Sequence, residues 1–171
     1  MDAFVQPLYE LADFDEIIRQ LKKPGIVQVS GCLDSQKAHF TNGLLREFPF
    51  RLIVAENDLK AKAFYEDFRL YDPEVLYYPA RDLIFYQADI HGNLLTRQRI
   101  QVLRALLERE EVTIVTSIDS CLDCLVPLAV WKEKVIKIRN DSEIDLDRMK
   151  RHLVELGYEW AAQVELSLIH I

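Results

Sequence analysis

The stretch between residues 26 and 48 constrains the fold of this chain more than any other. A short apolar run, Ile26–Ser30, is followed by a turn at Gly31 and by a helical pattern that ends before Pro49. A strand, a glycine turn and a helix in this order are typical of a loop that binds phosphate. The sequence therefore predicts an α/β fold organised around this strand and loop.

That loop keeps only part of the nucleotide-binding pattern G-x-x-x-x-G-K-[ST]. Gly31 and Lys37 stand at the first glycine and at the lysine. Gln36 replaces the second glycine, where a side chain obstructs the approach of backbone N–H groups to phosphate. Ala38 replaces the residue whose hydroxyl holds Mg²⁺. Asp34 adds a negative charge that repels polyphosphate.

Three interpretations of this degenerate P-loop remain open. The favoured one is a P-loop-derived, RecA-like scaffold that has lost its nucleotide, in which the loop binds no cofactor and no residue is catalytic. An active nucleotide hydrolase and an unrelated strand-turn-helix unit are the alternatives. In the favoured interpretation, Lys37 is a surface lysine at the start of a helix.

The composition is that of a soluble globular protein. Hydrophobic residues make up 50% of the 171 residues and charged residues 29%, enough for one core, or for one domain and the start of another. The formal net charge of −7 argues against a large nucleic-acid surface, which needs clustered Lys and Arg. No apolar run is long enough to cross a bilayer, and the first residues lack the basic start of a secretory signal. We therefore predict a cytoplasmic protein without membrane contact.

Strand and helix patterns alternate through the first 127 residues. A capping-box pattern at Asp13–Glu16 starts the first helix, and Asp58 is expected to cap a later one. Asn93 is expected to cap a long helix that follows an irregular stretch. The predicted strands are Ile26–Ser30, Arg51–Ala55, Val75–Tyr78 and Thr113–Ser117. Short β-branched strands separated by helices predict a parallel sheet that helices cover on both faces.

The pattern changes after Pro127. Residues Trp131–Arg139 alternate apolar and charged side chains, which predicts a strand in a different, half-exposed sheet. Asp145 is expected to cap a helix that Gly157 ends. The predicted domains are an α/β domain at 1–127, the incomplete start of a small α+β domain at 128–165, and an atypical tail at 166–171.

The cysteines indicate neither a disulfide framework nor a metal site. There are three, an odd number. Cys121 and Cys124 have the spacing of a redox pair, but no Trp-Cys-Gly-Pro-like context surrounds them, so ordinary half-buried thiols are the preferred interpretation. Cys32 and a histidine would complete a zinc site only if the fold brought them to that pair. We therefore predict no metal and no nucleophile set.

Several spaced runs resemble one known family. They are Tyr78–Asp82, Asp89–His91, Thr96–Ile100, Leu103–Leu107, Val115–Asp119, Leu156–Tyr158 and Gln163–Glu165. Together they resemble the N-terminal module of the bacterial transcription-repair coupling factor, Mfd, over nearly the whole chain. That module is similar to the first domain of UvrB, a working P-loop ATPase, whereas the nucleotide motif of the coupling factor is degenerate. UvrB also has a tyrosine-rich hairpin, for which the about twenty residues between Val75 and Thr96 are too few.

The resemblance implies a function for the whole family member. It implies an ATP-dependent DNA translocase that displaces stalled RNA polymerase and recruits UvrA for nucleotide excision repair. In that family ATP and Mg²⁺, RNA polymerase and double-stranded DNA are bound by other parts of the protein. This chain is therefore expected to be a non-catalytic adaptor without a cofactor. The alternative is a fragment of a UvrB-like or other small P-loop ATPase.

The resemblance also implies where UvrA binds. In the family the second unit docks UvrA, which makes Arg151, Tyr158 and Trp160 candidate partner-binding residues. The plainer interpretation of the two aromatic residues is that they close a small core. Residues 166–171 do not match the family pattern Gly-x-Gly-Gln-Phe-Ser-x-Arg-Gly-Gly, and Glu159 stands where a basic residue is common. The sequence therefore predicts weak or incomplete binding of UvrA.

Two arginines are further candidates for a contact. Arg97 and Arg99, near the start of the long helix, are suited to a partner or to phosphates. The plainer interpretation is that both are exposed and pair with Glu or Asp. Arg81 and Asp82 are expected to form an ion pair that braces a loop, and not a catalytic dyad.

Overall fold

The computed structural model describes residues 4–81, 89–136, 138 and 143–159. For residues 89–93 it describes the backbone only. Among the described residues, no helix has both the length and the apolar character that a membrane crossing requires.

The chain divides into two compact units, Met1–Cys124 and Leu125–Ile171. Their assignment to UvrB-like domains stays a prediction. The first unit contains a 3-10 helix at Gln6–Glu10, followed by α1 (Phe14–Leu21), α2 (Asp34–Leu45), β1 (Phe50–Ala55), α3 (Asp58–Phe68), β2 (Leu76–Tyr78), α4 (Asp89–Glu108), β3 (Val112–Ser117) and α5 (Ile118–Cys121). The described part of the second unit contains α6 (Leu128–Lys134) and α7 (Leu146–Glu155).

The described sheet has three strands in the order β1-β3-β2, and both strand pairs are parallel. The register places Leu52 of β1 opposite Ile114 of β3, and Tyr77 of β2 opposite Val115. Every residue of the central strand β3 is buried. The predicted α/β class with a parallel sheet is therefore confirmed, as are the three strands that follow α2.

Helices cover the two faces of this sheet, as predicted. On one face α3 packs against the strands, in a core that contains Ala38, Ala61, Phe68, Val75, Tyr77 and Val115. On the other face α4 packs on β2 and β3, in a core that contains Tyr78, Val102, Ala105, Val112 and Ile114. Alternate side chains of β1 stay exposed on the α4 side, at Phe50, Leu52 and Val54.

The predicted strand at Ile26–Ser30 is wrong. These residues form no regular element, and the side chain of Ile26 is 99% exposed. A strand needs a neighbour that takes its backbone hydrogen bonds. Within the described residues β1 pairs only with β3, and Ile26–Ser30 does not pair with the outer edge of β1. The apolar pattern is present, but the described sheet offers it no partner.

Three predicted helix starts also differ from the structure. Asp13 stands at the N-cap of α1 but makes no side-chain cap. The cap of α3 is Asn57, whose Oδ1 accepts the N–H of Lys60 at 2.9 Å, and Asp58 is the first helical residue. The backbone of α4 is already helical at Asp89, so Asn93 lies inside the helix.

The N-terminal segment packs on α2 through a separate apolar cluster. Its buried members are Val5, Leu8, Phe14, Ile18 and Leu44. Gly43 lets the side chains of Leu8 and Phe14 approach the backbone of α2. A Cβ at this position would lie 3.0 Å from the ring of Phe14 and would overlap Leu8. The segment before the glycine loop is thereby held against the helix that follows the loop.

The regular elements described in the second unit are both helices. The predicted strand at Trp131–Arg139 is wrong over Trp131–Lys134, which belongs to α6, and residues 137 and 139 lie outside the described residues. The predicted cap of α7 is confirmed, because Asp145 Oδ1 accepts the N–H groups of Asp147 and Arg148 at 3.0 and 3.1 Å. Gly157 follows the helix with a φ of +93°, a left-handed conformation that favours glycine.

Candidate functional site

The glycine loop lies between the irregular segment 26–30 and the start of α2. Gly31 has a φ of +91°, which favours glycine. Leu33 is extended and Asp34 begins the helix. A helix N-terminus has free N–H groups, which in a phosphate-binding loop are left for the ligand. The partners of these groups therefore decide what the loop can bind.

Gln36, in the first turn of α2, supplies one of those partners. Its Oε1 accepts the backbone N–H of Leu33 at 3.2 Å. The side chain at the second-glycine position therefore caps the start of α2, and the N–H group of Leu33 is already hydrogen-bonded. A phosphate at this place would have to displace the amide first.

Asp34 supplies a partner for the lysine of the pattern. The Nζ of Lys37 lies 2.6 Å from Oδ1 of Asp34, one turn earlier in α2, and both side chains are exposed. The hydrogen bond and the opposite charge raise the pKa of Lys37 and lower the pKa of Asp34. The ammonium group is thus already paired with a carboxylate. The interpretation of Lys37 as a surface lysine at a helix start agrees with this position.

Ala38 points away from the loop and into the protein. Its side chain is buried in the core on the α3 side of the sheet, in the same cluster as Ala61 and Val115. A small side chain fits between α2 and the sheet, and a methyl group has no oxygen for a metal ion.

A cleft of about 430 Å³ opens beside the loop. It lies between the N-terminal segment and the loop, and its lining includes Leu11, Phe14, Ile17, Gly31, Cys32, Gln36, His39 and Phe40. His39 Nε2 is hydrogen-bonded to the backbone carbonyl oxygen of Phe4, and its ring stacks on Tyr71 at a centroid distance of 5.3 Å.

Cys32 and His39 line this cleft. Among the described residues, no further side chain joins them to form a metal-binding group. Within the ranges that the structure describes, no group of three or more His, Cys, Asp or Glu side chains is placed to hold a metal ion. Cys121 and Cys124 are free and exposed, not half-buried as expected.

The structure separates the two candidate arginines of α4. Arg97 is exposed, and its role in a contact stays a prediction. Arg99 is buried, so the expectation of two exposed arginines is wrong for this residue. Its Nη1 donates to the carbonyl oxygen of Pro79 at 2.8 Å, and its Nη2 lies 2.9 Å from Oδ2 of Asp123. Periodicity alone could not reveal this, because the partners come from distant segments.

Arg81 lies near the same carboxylate. Its Nε is 3.9 Å from Oδ2 of Asp123, a long ion pair. The expected partner, Asp82, lies outside the described residues. The contact that is described therefore joins Arg81 to the segment after β3.

A polar network that the sequence did not reveal lies at the carboxyl ends of β2 and β3. Asp58 Oδ1 accepts the backbone N–H of Ala80 at 3.1 Å and the hydroxyl of Ser117 at 3.5 Å. The hydroxyls of Ser117 and Ser120 are 2.9 Å apart, and the hydroxyl of Tyr77 donates to the backbone oxygen of Asp58. These groups satisfy one another and tie α3 to the two strands, which indicates a structural role.

The candidate partner-binding residues of the second unit are exposed where they are described. Arg151 lies on α7, and Tyr158 follows Gly157 just after the helix, where its backbone N–H donates to Leu153 O at 3.0 Å. Trp160 lies outside the described residues. The roles of these residues stay predictions.

Comparisons with known proteins identify two kinds of relative. The chain is 29% identical to the transcription-repair-coupling factor of Bacillus subtilis over 164 residues, which are 93% of this chain and 14% of the relative. It is 29% identical to the UvrABC system protein B of Treponema denticola over 143 residues, with 84% of this chain and 20% of the relative covered. It is 32% identical to the UvrABC system protein B of Anaplasma phagocytophilum over 129 residues, with 67% and 20% covered.

No protein-family model matches the chain. The chain spans a fifth or less of the length of these curated relatives. The match to the Bacillus subtilis protein covers most of this chain, whereas most of the relative has no counterpart in it.

Proposed function

Since this chain is a UvrB-homology module of the kind found in transcription-repair-coupling factors, we propose that it is an adaptor that binds protein and no nucleotide. In this proposal the chain acts in nucleotide excision repair at sites of stalled transcription and has no enzymatic activity of its own. It is a cytoplasmic module of a longer protein.

The observation that carries the proposal is the pair of internal contacts in the glycine loop. Gln36 takes the N–H of Leu33, and Asp34 takes the ammonium group of Lys37. Both groups are ones that a triphosphate would need, and both partners lie in the first turn of α2, directly after the loop. The buried methyl group of Ala38 adds no ligand for Mg²⁺.

The partner that we propose is UvrA. One kind of relative is named as a component of a UvrABC system, and the other as a factor that couples transcription to repair. A module shared by the two is suited to bring damage recognition to a stalled polymerase. RNA polymerase, double-stranded DNA, ATP and Mg²⁺ are proposed to bind elsewhere in the longer protein.

The second unit is the proposed UvrA-binding surface. None of its described side chains is buried, and its exposed apolar residues include Leu128, Val130, Ile144, Leu146 and Val154. Arg151, Tyr158 and Trp160 are the proposed contact residues, because arginine and large aromatic side chains contribute most to binding at protein interfaces. The charged group of Arg151 and the ring of Tyr158 are exposed in the second unit.

Capture of UvrA by the immobilised chain tests the partner. We expect the wild-type chain to retain UvrA, and Arg151→Glu or Tyr158→Ala to weaken retention about tenfold or more, which is typical of a residue important at an interface. Arg148→Glu is the matched control, because it reverses a charge on the same helix at a position outside the proposed contact set. Loss of retention in Arg148→Glu alone, or equal retention by all variants, would contradict the proposed surface.

The alternative is a UvrB-like or other small P-loop ATPase. It is favoured by Gly31 and Lys37, which keep two positions of the nucleotide-binding pattern. This alternative predicts that Mg-ATP binds with a micromolar Kd and that Lys37→Ala abolishes binding.

A further inference from the structure

A buried guanidinium group joins three segments of the first unit. Arg99 of α4 is 6% exposed. Its Nη1 donates to the carbonyl oxygen of Pro79, just after β2, and its Nη2 lies 2.9 Å from Oδ2 of Asp123, just after α5. The guanidinium group also lies over the ring of Tyr78, 4.2 Å from its centroid. One cation therefore connects α4, the end of β2 and the segment that follows β3.

The opposite charge of Asp123 offsets the cost of burying this cation. A buried cation is strongly destabilising unless an opposite charge lies close by. Nη2 of Arg99 and Oδ2 of Asp123 are in ion-pair contact, but their alignment falls short of a hydrogen bond, and neither atom has another hydrogen-bond partner within the described part of the chain. Removing Asp123 takes away the opposite charge in contact with the buried Arg99, whereas removing Arg99 leaves Asp123 with only the long ion pair to Arg81.

Asp123 lies at the end of the first unit. The unit ends at Cys124, one residue later. The neighbouring apolar side chains contribute little to holding this segment, because Leu122 and Leu125 are exposed. Ser120 is buried and hydrogen-bonded to Ser117, so the chain is fixed up to that point by a different contact.

We propose that the ion pair between Arg99 and Asp123 is a latch that fixes the path of the chain where it leaves the first unit. When the pair is intact, the segment 121–124 is held at Arg99 of α4 through Asp123. When it is broken, this segment detaches while the sheet and α3 stay folded, because the network of Asp58, Ser117 and Ser120 remains. The latch is a conformational device and does not depend on the identity of the partner.

A spin label on Cys124 tests the latch. Cys124 is free and exposed, so it accepts a nitroxide once Cys32 and Cys121 are replaced by serine. In this background we expect Asp123→Asn to raise the ratio of mobile to immobile label about tenfold, a shift that corresponds to about 1.4 kcal/mol. Arg104→Gln is the matched control, because it breaks the exposed Arg104–Glu108 pair on the same helix and should leave the spectrum unchanged.

The label spectrum is read together with thermal unfolding of the sheet. Arg99→Met is a second variant. If Arg99→Met does not fold, Asp123→Asn still decides the test. Position 123 is partly exposed, so water can solvate the substituted side chain. A mobile label in Asp123→Asn with a folded sheet and an unchanged control supports the latch. An unchanged label in Asp123→Asn overturns it. Equal mobility in Arg104→Gln, or unfolding of the sheet in Asp123→Asn, also overturns it, because the pair would then have only a general stabilising role.

Discussion

Lys37 Nζ lies 2.6 Å from Asp34 Oδ1 within the first turn of α2. The lysine of a phosphate-binding pattern is therefore paired with a carboxylate from the first turn of its own helix. This contact lowers the pKa of Asp34 below its ordinary value of 3.8. A lowered carboxyl pKa means that the contact stabilises the fold above the ordinary pKa and that this contribution is lost as the pH falls through the lowered one.

NMR titration of the Asp34 carboxyl group checks this pairing. We expect a midpoint below 3.8 in the wild-type chain and a return toward that value in Lys37→Met, which removes the ammonium group and keeps the aliphatic stem. A wild-type midpoint at or above 3.8 would show that the pair does not form in solution.

Gln36→Ala removes the side chain that accepts the N–H of Leu33. We expect a loss of about 1 kcal/mol in the free energy of unfolding, as for other lost helix caps, measured by urea denaturation. Gln36→Glu is the control, because it keeps the acceptor and adds a negative charge near the N-terminus of α2. Equal stability of all three proteins would argue that Gln36 is not a cap.

Phe68→Ala tests the core on the α3 side of the sheet. The side chain of Phe68 is fully buried, and its ring stacks on Phe64. We expect a destabilisation of about 3–5 kcal/mol, the usual cost of removing a buried phenyl ring. Leu70→Ala, at a side chain that is 77% exposed, should change the stability by about 0.5 kcal/mol or less. Similar effects of the two substitutions would place Phe68 outside the core.

Alkaline titration reports on Tyr77. Burial, followed by the hydrogen bond to Asp58, raises the pKa of Tyr77 above its ordinary value of 10.0. The folded state therefore disfavours ionisation, and stability falls as the pH rises above the ordinary pKa, where the unfolded chain ionises first. We expect the ultraviolet absorbance titration to show a group of tyrosines that ionise at higher pH than the others. Tyr77→Phe should remove one tyrosine from this high-pH group. If Tyr77→Phe instead removed one tyrosine from the group that ionises at lower pH, the burial of this hydroxyl would be contradicted.

Much of the sheet could be predicted from local sequence. The runs at Arg51–Ala55, Val75–Tyr78 and Thr113–Ser117 are short and rich in β-branched or aromatic side chains, and each overlaps a strand of the structure. Asp145 was also predictable as a cap, because the signal lies within three residues of the bonds that it makes. These features depend on neighbours in the sequence.

Features that depend on distant partners could not be predicted. Ile26–Ser30 has an apolar strand pattern, but the described sheet places no strand beside it. Arg99 has the sequence context of a surface arginine, and only the fold brings Pro79 and Asp123 to its guanidinium group. Over Trp131–Arg139 the alternation of apolar and charged residues favoured a strand, but its first part, Trp131–Lys134, has one apolar residue followed by three charged ones and belongs to α6.

Around the glycine loop, the sequence shows which positions depart from the nucleotide-binding pattern, but not which contacts their side chains make. The replacements at Gln36 and Ala38 indicated a loop without a nucleotide. The structure adds that Gln36 caps the helix, that Asp34 pairs with Lys37, and that Ala38 faces the core. These contacts join residues that are close in sequence, but which contacts form depends on the direction of each side chain. A motif pattern does not contain that information.

Isothermal titration of the chain with Mg-ATP tests the central claim most directly. The account predicts no heat of binding at micromolar to millimolar nucleotide, and no difference between the wild-type chain and Lys37→Ala. Micromolar binding by the wild-type chain that Lys37→Ala abolishes would contradict it.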